Sequence, residues 1–295
     1  MNYVDDKKVI ELELKANDIR QSIIEMLVSA GSGHSAGPLG MADVFTALYF
    51  HLLKHDPKNP ALVDRDFVVL SNGHICPVQY ATLAHAGYFP VEELKTLRKF
   101  GSRLQGHPHR TKLPGIETSS GPLGSGIAQA VGMAIALRMD KKTNFVYGLV
   151  SDGEQDCGIA WEAAMLAGRE QLWNLIAIMD RNNIQIDGFT EDIMPLEPLR
   201  AKYEAFGWHV IDVDGHNMAE IVNAVEEAKA IYEKPKMIIA HTIPGKGVDF
   251  MERRFEWHGN PPGKGPIDKV PADRQAEEAL RELRTLNGKI RSEHE

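Results

Sequence analysis

Cysteine is scarce in this sequence: among 295 residues there are only Cys76 and Cys157. Two cysteines build no disulfide framework, and a chain of this length can bury a sizeable core without one, so a reducing compartment fits. Long apolar runs are missing as well, and none approaches the ~20 residues that a membrane-spanning helix needs. The N-terminus, MNYVDDKKVIELELK, lacks the basic start and apolar stretch of a secretory signal. The expected location is cytoplasmic. Positive charge is not in excess either, since the formal net charge is −8. That argues against a nucleic-acid surface or a polybasic membrane contact, and leaves any small anion to local backbone N–H groups, histidines or a metal. There are no internal repeats and no low-complexity tracts, and 43% hydrophobic with 25% charged residues suits a folded globular chain.

What is present is an alternation of helical and strand-like segments. Residues 8–29 carry Ile19, Ile23, Met26 and Leu27 at helical spacing, and residues 41–54 predict a second helix. Short apolar runs at 67–70, 145–150, 175–179, 208–213 and 237–240 predict strands buried on both faces. Helices are expected near 127–139, 158–170 and 218–232 between them. Strands that alternate with helices form βαβ units, so the fold class is α/β, a parallel sheet with helices on both faces. One domain is expected over residues 1–265. A tail over 266–295 holds an amphipathic helix from Pro271 to about Asn287-Gly288, which folds back on the domain or crosses to a partner.

Polar residues cluster after the strands: Asn72 and His74, Asp152, Asn182 and Asn183, Asp214 and His216, Gly245 and Gly247. Any one such loop is polar simply because it is exposed. Five in succession point to a ligand outside the carboxyl ends of a parallel sheet. Asn182 lies 30 residues after Asp152, a separation that one βαβ unit spans, so the two strand ends become neighbours. A carboxylate and an amide oxygen are hard donors of the kind Mg²⁺ takes in small number, with the carbonyl of Ile184 completing the set and phosphate and water supplying the rest. Gly153 would let a phosphate approach the backbone ahead of a helix N-terminus. Four histidines, His34, His74, His107 and His258, stand beside glycines. Each alone reads as a surface or structural residue; converging, they suit a proton-transfer pocket. Zinc at His107 and His109 finds no cysteine or HxxxH spacing to support it. A glycine-rich loop over 118–126 presents Leu123 either to a ring or to the core.

Taken together, these strings resemble the transketolase family of thiamin-diphosphate enzymes, from about residue 15 to 262. SGHSAGPLGMA, LSNGH, GHP, SGPLGSG, DGH and EWHG fall in that family's order, and Asp152-Gly153 with Asn182 matches its cofactor signature. The resemblance implies a thiamin-diphosphate-binding fold and two-carbon ketol transfer from a ketose to an aldose. By the same resemblance Asp152, Asn182 and Ile184 hold Mg²⁺ or Ca²⁺, while Gly153, His74 and His258 meet the diphosphate. Gly121, Pro122, Leu123 and Ile186 neighbour the cofactor rings. His34, His74, His107 and His258 surround the donor's hydroxyls, one of them acting as base.

Full transketolases are about twice as long, and their later portion holds the pyrimidine-binding domain with its activating glutamate, and a third domain. The resemblance therefore implies an N-terminal subunit that acts with a second chain, as an α₂β₂ assembly; a truncated piece is the competing explanation. Three positions depart from the pattern. Ser151 replaces the first glycine of the signature, Cys157 stands where an interface glutamate is usual, and Pro244 where some relatives have a lysine. They suggest a specialised branch acting on an unusual ketose, for instance a deoxy-, branched or sulfo-sugar. A 1-deoxyxylulose-5-phosphate synthase-like or 2-oxoacid dehydrogenase-like subunit shares the metal signature, though His107 and Trp257-His258-Gly259 fit transketolase better. A non-catalytic regulatory relative is a further alternative.

Overall fold

The computed structural model describes residues 3–286. In chain order the helices are α1 (Asp6–Ala30), α2 (Ala36–Gly40), α3 (Ala42–Ala47), α4 (Cys76–His85), α5 (Ser125–Met139), α6 (Gly158–Arg169), α7 (Thr190–Ile193), α8 (Leu199–Ala205), α9 (Met218–Ala230) and α10 (Gln275–Leu286). The strands are β1 (Phe67–Leu70), β2 (Val146–Ser151), β3 (Leu175–Arg181), β4 (His209–Asp214) and β5 (Lys236–His241). They form a single parallel sheet in the order β1-β2-β3-β5-β4.

The sheet separates two hydrophobic cores, because successive side chains of a strand point to opposite faces. Leu149, Ile176, Ile178 and Ile238 enter one core, where Ile19 and Ile23 of α1, Phe45 of α3 and Val222 of α9 meet them. Val146, Val150, Ala177, Met179 and Ile239 enter the other, against Ile127 and Val131 of α5 and Ala160 and Ala164 of α6. Burial on both faces explains why the strands read as continuous apolar runs. The expected class, with helices on both faces of a parallel sheet, is the one observed.

Local signals set the helix ends. Asp5 caps α1 by accepting from the N–H of Lys8 at 2.7 Å, and Gly31 closes it in a left-handed conformation at φ 62°. The helix expected over 41–54 begins at Ala42 and ends as a π-helical turn, and a separate short helix precedes it. α2 stops at Gly40, α3 follows from Ala42, and a π-helical turn covers Leu48–Leu52. The break between α2 and α3 coincides with two long-range contacts: Arg20 Nε donates to the Leu39 carbonyl at 3.0 Å, and a Cβ on Gly40 would stand 3.0 Å from the Ile243 carbonyl. α10 folds back on α1, where Asn17 Nδ2 donates to the Leu283 carbonyl at 2.9 Å. Its expected end at Asn287-Gly288 lies outside the described residues.

A buried charge cluster joins the N-terminal helices to the far edge of the sheet. Asp43 of α3 takes both Nη atoms of Arg20, at 3.1 and 2.5 Å, and His216 Nδ1 at 2.7 Å. The Ile243 N–H donates to His216 Nε2 at 2.7 Å, which places the ring proton on Nδ1, facing Asp43. Burial pushes the Asp43 carboxyl upward, but Arg20 and His216 outweigh it and hold the pKa down at about 2. A carboxylate depressed on folding stabilises fully above its unfolded value of about 3.9, and that contribution is lost as pH falls through the folded value. Asp43→Asn should therefore cost about 3 kcal/mol at neutral pH by leaving Arg20 buried and unpaired. Denaturant titrations should show the gap to wild type closing as pH falls from about 4 toward about 2. A gap that stays constant with pH would place the cost in packing.

Candidate active site

A cavity of about 420 Å³ opens at the carboxyl ends of β1, β2 and β3. It gathers His34, His74, His107 and His258 with Asp152, Gly153, Asn182, Ile184 and Ile186, and Gly121 and Leu123 complete its expected lining. Ser151, Gln185 and Asp187 also face it. Pro122 is not among the lining residues; it is exposed, and its carbonyl accepts from Ser125 Oγ at 2.5 Å in the first turn of α5. Of the five polar strand ends, those of β1, β2 and β3 supply the cavity. His216, after β4, is bound into the Asp43 cluster. Gly245 and Gly247, after β5, adopt left-handed turns at φ 80° and 88° away from the lining.

The oxygen donors are fixed by the pairing of β2 with β3, where Ser151 stands opposite Asp180. One residue further along lie Asp152 and Arg181. Asp152 Oδ2 accepts from Arg181 Nη1 at 3.1 Å and from the Asn183 N–H at 2.7 Å, with Thr190 Oγ1 at 3.4 Å. Its Oδ1 accepts from the Gly153 N–H at 2.7 Å. Burial raises the pKa of this carboxyl, while Arg181 and the two backbone donors favour its charged form. Asn182 is oriented in the same way. Its Nδ2 donates to Asp180 Oδ2 at 2.8 Å, so the amide oxygen turns the other way and takes the Ile184 N–H at 3.0 Å. Asp180 is itself held by Thr242 Oγ1 at 2.5 Å, and burial pushes its pKa up to about 7.

These donors fit a hard cation: one carboxylate, one amide oxygen and a nearby backbone carbonyl, all oxygen. Among the described residues no group of three His, Cys, Asp or Glu side chains is arranged to hold a metal. A cation here would need further oxygens from a ligand such as a diphosphate and from water. Between Gly153 and the helix expected near 158–170, Gly153–Asp156 forms a 3₁₀ turn, and α6 begins at Gly158.

Three imidazoles share the opposite wall. Ring centroids lie 4.8 Å apart for His34 and His74, 5.4 Å for His34 and His258, and 5.2 Å for His74 and His258. Their loops are tied together, since Ser35 Oγ donates to the Trp257 carbonyl at 3.1 Å and the Asn260 carbonyl at 2.6 Å. Burial drives the His34 pKa down to about 3, helped by His258, and that of His258 down to about 4. His74 is lowered well below its usual value and His107 is lowered too, both first by burial. The rings are therefore neutral at physiological pH, each with one nitrogen to donate and one to accept. Nδ1 of His34 and of His258 are buried and find no partner among the described residues. Such atoms are costly unless a polar ligand meets them.

Glu154, which the sequence reading did not single out, fixes the glycine-rich loop. This fully buried carboxylate accepts from Ser71 Oγ, from the Gly124 N–H at 2.5 Å and from the Ser151 N–H at 3.2 Å. It pins the loop that carries Gly121 and Leu123 to the ends of β1 and β2. Gly126 allows the close approach, since a Cβ there would collide with the Ser71 backbone. Asp180 and Arg181 were missed as well. Their signal is two charged residues continuing a strand whose every position is buried, which demands partners.

Comparison with known proteins agrees with this geometry. Residues 12–275 match the family described as "Transketolase, thiamine diphosphate binding domain". The 6-deoxy-6-sulfo-D-fructose transketolase subunit SqwG of Clostridium sp. (strain MSTE9) is 49% identical over 84% of this chain and 90% of its own length. An apulose-4-phosphate transketolase subunit of Phocaeicola vulgatus is 40% identical over 97% of this chain and 99% of its own. Transketolase 1 of Escherichia coli (strain K12) is 42% identical, but the match spans only 40% of that protein. Among solved structures, a transketolase variant from Pichia stipitis superposes with a TM-score of 0.84 at 35% identity, over 94% of this chain and 41% of that one. With its parallel sheet, its strand-end oxygen donors and a match over most of its length, this chain belongs to the transketolase family and carries that family's thiamin-diphosphate-binding domain.

Proposed function

We propose that this chain is one subunit of a two-chain transketolase, the subunit that holds the diphosphate of thiamin diphosphate through Mg²⁺ or Ca²⁺. The observation that carries the reading is the single cavity joining the Asp152, Asn182 and Ile184 oxygens to four neutral imidazoles. Asp152 Oδ1, Asn182 Oδ1 and the Ile184 carbonyl would take the cation. Gly153, His74 and His258 would meet the diphosphate, and Gly121, Leu123 and Ile186 would border the rings. Thiamin diphosphate, when bound, supplies the electron sink for breaking and making a carbon–carbon bond.

The side chains of this subunit orient the sugar and move protons. Neutral His34, His74, His107 and His258 offer both donor and acceptor nitrogens to ketose hydroxyls, and a basic nitrogen among them takes the proton from the hydroxyl beside the breaking bond. Negative charge near His74 and His258 would raise their pKa from the depressed values of the free chain, because it favours the imidazolium. His107 and His258 in the cavity favour transketolase over a synthase acting on pyruvate.

A second subunit would supply the pyrimidine-binding domain, its activating glutamate and a third domain, in an α₂β₂ assembly. Two features support this: relatives of matching length are named as subunits, and the chain spans about two-fifths of the solved transketolase. The donor would be a deoxy-, branched or sulfo-sugar, in line with the sugars in the relatives' names. No helix among the described residues is long and apolar enough to cross a membrane. Cytoplasmic residence belongs to the same proposal.

Asp152→Ala should abolish metal-dependent binding of thiamin diphosphate in isothermal titration, with the circular dichroism of the folded chain retained. Arg181 then keeps Glu191 and Glu197 as partners, at 2.6 and 3.0 Å, so the substitution leaves that guanidinium paired. Undiminished affinity in Asp152→Ala would remove the metal assignment. By nuclear magnetic resonance, the His34 and His258 rings of the free chain should not titrate between about pH 5 and 8. A midpoint near the unperturbed value of about 6.5 would show the cavity to be open to water.

A further inference from the structure

Arg181 is a buried cation beside the metal donors that the function proposed above leaves without a role. Its side chain is 4% exposed. One Nη holds Asp152 Oδ2, and the other is shared between Glu191 and Glu197 at 2.6 and 3.0 Å. Glu191 lies on α7 and Glu197 six residues on, and the backbone N–H of Leu196 donates to both Glu191 oxygens, at 3.3 and 3.2 Å. The guanidinium thus sits in a preformed cradle on one segment and reaches out from it to a single oxygen of Asp152.

The two carboxylate oxygens of Asp152 are consequently unlike. Oδ2 faces Arg181, the Asn183 N–H and Thr190 Oγ1, which use its lone pairs. Among the described residues Oδ1 has the Gly153 N–H alone and keeps a lone pair for a cation. Resting on the proposed metal site, we infer that Arg181 is a positioning residue that restricts Asp152 to one-oxygen coordination and so sets a preference for Mg²⁺ over Ca²⁺. Mg²⁺ wants six oxygens at short distance in near-ideal octahedral order and gains nothing from a second oxygen of the same carboxylate. Ca²⁺ takes six to eight ligands, often with a carboxylate bound through both oxygens. Closing Oδ2 denies Ca²⁺ its extra ligand and costs Mg²⁺ none. Residues behind a ligand commonly shift metal affinity by about 10- to 100-fold.

The test is isothermal titration of thiamin diphosphate into the full chain, with Mg²⁺ or Ca²⁺ saturating, for wild type, Arg181→Met, Arg181→Lys and the double variant Glu191→Gln/Glu197→Gln. The readout is the ratio of the two dissociation constants, which a general loss of folding does not bias toward either ion. Arg181→Met frees the share of Oδ2 that Arg181 holds, while the Asn183 N–H and Thr190 Oγ1 stay, and should move that ratio toward Ca²⁺ by about tenfold. Arg181→Lys keeps the charge but cannot bridge Asp152 and the two glutamates as a fork does, so its ratio should fall between wild type and Arg181→Met. The double variant, with the cradle weakened and Arg181 intact, should shift in the same direction by less. Equal ratios in wild type and Arg181→Met overturn the inference while leaving the metal site standing. A wild-type chain that binds thiamin diphosphate with neither ion overturns the metal site and this inference with it.

Discussion

Everything at the cavity depends on the parallel pairing of β2 with β3. That register sets Ser151 against Asp180 and so brings Asp152 and Arg181, then Asn182, to the same end of the sheet. Buried charges tolerate such a position only when each finds a partner, and here each does. Arg181 neutralises Asp152, Asp180 turns the Asn182 amide, and Thr242 from the end of β5 supports Asp180. The donors are held by neighbours on the same two strands, so a cation would meet preformed geometry and not a flexible loop.

The remaining walls are attached to this frame by single buried polar residues. Glu154 gathers the glycine-rich loop and the ends of β1 and β2 onto one carboxylate. Ser35 fastens the His34 loop to the His258 loop. Arg20, Asp43 and His216 lock the N-terminal helices to the segment that follows β5. Each tie joins segments far apart in sequence, which is why the histidines converge although 224 positions separate His34 from His258. Their burial depresses the imidazole pKa values and keeps the pocket receptive to a neutral, hydroxyl-rich ligand beside an anionic one.

The sheet was legible because its strands are buried on both faces and punctuated by Gly, Asn and Asp. The same punctuation exposed Asp152, Asn182 and the histidines. Local pattern failed where distant contacts decided the outcome. The helix expected over 41–54 is preceded by the separate α2, which ends beside contacts from Arg20 and Ile243, neither of them near it in sequence. His216 read as one more strand-end polar residue, yet it turns away from the cavity to Asp43, 173 positions distant. Glu154 carries no local signal of its own; its importance comes from Ser71, 83 positions away. Asp180 and Arg181 take their roles from Thr242 and Asp152, 62 and 29 positions away, which no local pattern displays.

The central claim is that this chain forms half of a catalytic site and needs a second chain to complete it. Native mass spectrometry of the protein, purified from its own cells without added cofactor, tests that claim most directly. The account predicts an assembly of two copies of this chain with two copies of a different chain, retaining thiamin diphosphate and a divalent cation. A homo-oligomer that carries neither partner nor cofactor would contradict it.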